Sequence, residues 1–104
     1  MKIPKHVTVK GVKYKVVIEA DLKNERGEAL DGYCNKLDKV IKIDAALKNG
    51  KDRDNTYIHE VFHAILYEAH VHEVFTEGIE EIVVQNLSRY ITDNYMLVPR
   101  KKTK

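Results

Sequence analysis

Val7, Val9, Val12, Tyr14, Val16 and Ile18 alternate with polar positions on either side of Lys10-Gly11. That period of two predicts two short strands, each with one dry face, joined by a tight hairpin. The stretch from Asp21 to Asp31 is polar and carries Gly27, with Gly32 just beyond it, so it reads as a loop. Tyr33 to Lys36 and Val40 to Asp44 are two further strand candidates around the turn Leu37-Asp38-Lys39. The front half is therefore expected to be a small antiparallel sheet.

Beyond Asn49-Gly50, a strong turn signal, the period changes. Ile58, Phe62, Ile65, Leu66 and Ala69 recur at spacings of three and four, and Asp52 and Asp54 lie where the positive end of a helix favours acids. One helix over about 52–70 follows. A turn is expected within Val71 to Thr76. Ile79, Val83, Leu87, Tyr90 and Ile91 then form a second apolar stripe, predicting a helix over about 77–93 packed beside the first. The fold class is α+β: a small antiparallel sheet followed by two packed helices.

Composition narrows the setting more than the chemistry. A chain of 104 residues with 43% hydrophobic and 33% charged residues suits one globular domain, placed at 1–98. Residues 99–104 read as a basic C-terminal tail, with Arg100, Lys101, Lys102 and Lys104. The formal net charge is only +2, so bulk charge names no partner, and the tail is read as a solvated end with no nucleic-acid partner expected. Cys34 is the sole cysteine, which excludes an intrachain disulfide and a thiolate zinc cluster. With no apolar run behind Lys2 and Lys5 and no stretch fit to span a bilayer, no membrane association is expected, and a cytoplasmic protein is. The oligomeric state stays open.

The chemistry lies in His59-Glu60-Val61-Phe62-His63. Two histidines four apart share one helix face, about one turn from each other, so both can reach one metal ion. Zinc takes imidazole nitrogen at about 2.0–2.1 Å and in catalytic sites keeps three protein ligands and an open position. Glu60 is placed to handle the proton of a zinc-activated water and to pass it to a departing amine.

A third ligand is needed. The metzincin spacing would require histidine where Ala69 stands, so that pattern fails. His70 and His72 would each need a sharp chain break to reach the ion. The second helix opens with Glu77, Glu80 and Glu81. Glu80 falls near the middle of the apolar stripe, whereas Glu77 and Glu81 fall at its edge, as the histidines do on theirs. Helical position thus favours Glu77 or Glu81 and does not separate them. Tyr57 and Tyr67 read as packed rings with wet tips, His6 as a surface residue and Cys34 as a small packed side chain.

A small sheet, then HEVFHAILYEAH, then EEIVVQNLSRYITDN resembles the compact ImmA/IrrE-like and SprT-like zinc metallopeptidase domains, notably the short phage and prophage versions. The resemblance runs from about Gly32 onwards. It implies a minimal zincin-like fold, Zn2+ as cofactor and a protein or peptide substrate. In such domains the third ligand is a glutamate followed by a small residue three positions on, an amide four on and an apolar residue six on. Glu81 matches, with Val84, Gln85 and Leu87 at those positions, although valine is bulkier and glutamine longer than usual. The metal set becomes His59, His63 and Glu81, with Glu60 as the catalytic proton carrier and Glu77 in reserve. By the same analogy the Val40 to Asp44 strand is expected to line the cleft and pair with an extended peptide. The alternative is a binding module that keeps this fold and recognises a protein or nucleic acid without cutting it.

Overall fold

The computed structural model describes residues 2–47 and 50–95. The basic tail at 99–104, Asn49 of the expected turn and the His72 side chain lie outside the described residues.

Lys10 and Gly11 both take positive φ, 47° and 79°, the backbone a two-residue hairpin loop needs to match strand twist. They join β1 (His6–Val9) antiparallel to β2 (Val12–Glu19). In the loop that follows, Asn24 Oδ1 accepts from the backbone N–H groups of Arg26 and Glu28. β3 (Gly32–Asn35) and β4 (Val40–Asp44) form a second antiparallel hairpin. Its turn is braced by Asn35 Oδ1, which accepts from the N–H of Leu37 at 3.1 Å and of Asp38 at 2.9 Å.

The strands are ordered β1-β2-β4-β3. The antiparallel pairing expected from the alternation is present within both hairpins, while the seam between them, β2 with β4, is parallel. Burial explains the order. Ile41 and Ile43 of β4 are fully buried, so β4 belongs in the interior of the sheet, and β3 is left at the edge. That position corrects the expectation that Val40 to Asp44 lines the cleft, because an inner strand has no free backbone edge.

α1 (Gly50–Glu68) lies across one face of the sheet, where Tyr57, Ile58 and Ala64 join Val9, Tyr14, Val16, Cys34, Ile41 and Ile43 in the core. Its far end is tied down. The Tyr14 hydroxyl donates to Glu68 Oε2 at 2.6 Å, and Lys39 Nζ donates to the same oxygen at 2.6 Å. Those two bonds, Lys39 first, hold the Glu68 carboxyl below its ordinary pKa. His70, at φ 62°, then turns the chain out of the helix. A single 3-10 turn follows at Val71–Glu73 before α2 (Glu77–Asn94), whose first turn is capped by Thr76 Oγ1 accepting from Ile79 N–H.

α2 packs on α1 with a face other than the predicted stripe. Ile79, Leu87 and Tyr90 are 51%, 44% and 57% exposed, whereas Glu80, Val84 and Ser88 are buried. The inward face is rotated by roughly a quarter turn from the stripe. Polar pairs with α1 account for it: Glu80 meets His63, Glu81 meets His59, and the Thr92 hydroxyl donates to Asn55 Oδ1. Among the described residues no helix is long and apolar enough to cross a membrane.

Candidate metal centre

His59 and His63 project from one face of α1 towards α2, as their spacing dictates. Glu81 Oε1 lies 2.8 Å from His59 Nε2, and Glu81 Oε2 lies 3.1 Å from His63 Nε2. The two Nε2 atoms are 3.2 Å apart. Among the described residues, these three side chains form the group of ligand-type residues that could hold a metal ion. Of the acids the sequence leaves open, Glu81 joins the histidines and Glu77 stands exposed on the rim. His70 is turned outward and faces Glu73 at 3.5 Å.

Glu80 has a different place. Its Oε2 lies 2.6 Å from His63 Nδ1, on the opposite side of the ring from Glu81. A carboxylate only accepts, so the proton in that contact sits on Nδ1, and in the neutral form of the ring Nε2 carries a lone pair. That lone pair faces His59 Nε2 and Glu81 Oε2. Three electron-rich atoms converging in this way call for a positive centre between them, either a proton or a metal ion. Burial lowers the His59 pKa, opposed by the pull of Glu81, which favours the neutral ring that a metal ion requires. Bonds of about 2.0–2.1 Å at a tetrahedral zinc place neighbouring donors roughly 3.3 Å apart. The 3.2 Å between the two Nε2 atoms is close to this, and Glu81 sets a carboxylate oxygen beside each, so the donor set fits the ion.

The centre opens into a cleft of about 830 Å³ between the β3 edge and the two helices. Glu60 lines it and is nonetheless 8% exposed. Burial first, then repulsion from Glu81, pushes its pKa up to about 8, with Lys36 opposing. One wall is unusually close: a Cβ on Gly32 would lie 2.6 Å from Thr56 Cγ2 and 3.2 Å from Glu60 Oε2. The edge strand therefore rests directly on the glutamate. Cys34 faces the same cleft as a buried thiol pushed up to about 12, chiefly by burial, and so has little thiolate character. Tyr57 is core, and Tyr67 lies beneath Lys39, whose Nζ is 4.9 Å from the ring centroid, so neither tyrosine lines the cleft.

The sequence reading passes over Glu80 in favour of Glu77 or Glu81 and gives Lys36 and Gly32 no part in the site. A signal for Glu80 was available, since an acid in the middle of a helix face that packs requires a partner. Lys36 and Gly32 act across elements, and no local pattern marks them.

No protein-family model, no curated protein and no solved structure matches the chain. Fold and site together define a four-stranded α+β protein with two helices and a His-His-Glu cluster that could hold a metal ion.

Proposed function

We propose that this chain is a zinc-dependent metallopeptidase of the compact kind found in ImmA/IrrE-like and SprT-like domains, notably their phage-type members, acting on a protein or peptide in the cytoplasm. The observation that carries the reading is the convergence of His59, His63 and Glu81 at the base of a cleft that Glu60 also lines. Bound there, zinc would supply a Lewis acid that acidifies water and polarises a carbonyl. The remaining work falls to the chain. Glu60 takes a proton from the attacking water and delivers it to the amide nitrogen as the C–N bond breaks, leaving a carboxylic acid and an amine. In the metal-free protein burial favours the protonated carboxyl, and a cation held by His59, His63 and Glu81 would favour the carboxylate that the first half of the transfer requires.

Among the described residues β3 is an edge strand of the sheet and borders the cleft, where its main-chain groups could pair with an extended peptide. The buried, free Cys34 accords with a reducing compartment. The test is zinc content together with cleavage of unstructured peptide mixtures read by mass spectrometry. Wild-type protein is expected to bind one zinc and cut. Glu60→Gln is expected to keep zinc and lose cleavage, and His59→Ala with His63→Ala to lose both. Failure to bind zinc would sink the reading. Zinc binding with peptide capture and no cleavage would favour the binding module.

A further inference from the structure

We propose that Glu80 is a positioning residue: it holds His63 in the tautomer and orientation in which Nε2 faces His59 and Glu81, and so sets the metal affinity of the cluster. This rests on the metal-site reading above. The geometry carries the assignment. Glu80 and Glu81 are consecutive on α2, so they leave the helix about 100° apart, and they reach the two nitrogens of one ring. Glu80 Oε2 is 2.6 Å from Nδ1 and Glu81 Oε2 is 3.1 Å from Nε2. The ring is thereby clamped between two carboxylates with separate tasks. A neutral ring can donate to only one of the two carboxylates: with hydrogen on Nδ1 it serves the shorter contact, to Glu80, and turns the Nε2 lone pair towards Glu81 and His59, where a metal ion between them would satisfy it.

Glu80 is also built in rather than adventitious. Its side chain is 10% exposed, and Lys36 Nζ stands 4.0 Å from the same oxygen, placing an opposite charge behind the carboxylate. A carboxylate accepting from the far nitrogen of a ligating histidine fixes its orientation and raises its donor strength, and loss of such partners typically costs ten- to a hundred-fold in metal affinity. The burial of a glutamate on the packed face of α2 thus has a reason that Glu77, exposed on the rim, does not share.

Zinc affinity is measured by competition with a chromogenic chelator for wild type, Glu80→Gln and Glu77→Gln. The His63 tautomer is read independently from imidazole nitrogen shifts in metal-free wild-type protein. Glu80→Gln is expected to weaken zinc by about ten- to a hundred-fold, Glu77→Gln to change it less than about two-fold, and His63 to carry its proton on Nδ1. Wild-type protein that takes up zinc while Glu80→Gln matches it would overturn the role of Glu80 alone. Wild-type protein that takes up none would overturn the metal reading and this one with it. Should Glu80→Gln not fold, the tautomer decides: a proton on Nε2 overturns the proposal.

Discussion

Glu60 sits where water is scarce, and the stability of the metal-free protein should register it. In the unfolded chain its carboxyl titrates near the ordinary 4.5, and in the folded protein near 8. Below about pH 4.5 both states hold the proton. Between about 4.5 and 8 only the folded state keeps it, so stability falls as pH rises through that window and levels off above it, by on the order of a few kcal/mol in all. Glu60→Gln removes the titration. Urea unfolding in the presence of chelator at pH 5, 7 and 9 should therefore show wild type losing stability relative to the glutamine variant as pH rises. Parallel pH profiles for the two proteins would contradict the buried placement. The role proposed for this residue rests on its place beside His59, whereas its burial could not be read there, because the wall that covers it is supplied by β3.

At the level of elements, the contact between β3 and α1 hinges on a missing side chain. The nearest atom to a Cβ at Gly32 would be Thr56 Cγ2 at 2.6 Å, with Glu60 behind it. Gly32→Ala should cost about 1–3 kcal/mol through overpacking, and adding Thr56→Ser, which removes that methyl, should recover part of the loss in denaturant unfolding. The orientation of α2 is testable in the same way. Val84 is fully buried against α1, while Ile82 is 60% exposed. Val84→Ala should cost about 2 kcal/mol, whereas Ile82→Lys should stay within about 0.5 kcal/mol. The reverse ranking would contradict this orientation of α2. That stripe fails as a guide because the face of α1 that meets α2 carries His59, His63 and Asn55, whose polar atoms need partners, and Glu80, Glu81 and Thr92 stand opposite them.

For the whole molecule, the sheet sits under α1, and α2 completes the site from the far side. The cluster joins the two helices, so a metal ion held there would stabilise their packing. With free zinc at about a hundred times its dissociation constant, the folded state should gain about 2.7 kcal/mol, which in a domain of this size raises Tm by roughly 10 to 20 °C. Chelator should reverse the rise, and His59→Ala with His63→Ala should abolish it. A Tm indifferent to zinc and chelator would argue for histidines that merely pack.

The sequence by itself determined what lies within elements: the hairpin at Lys10-Gly11, the extents of β4 and the two helices to within about two residues, and the shared face of His59 and His63. Those follow from backbone sterics and from periods of two and 3.6, which are local. Tertiary structure alone decided the parallel seam between the hairpins, β3 as the edge beside the cleft, the roll of α2 and the different histidine nitrogens that Glu80 and Glu81 meet. Each of these is a choice among partners far apart in the chain. It is settled by which buried polar groups find one another and which apolar faces remain to be covered, and neither is written in any single element.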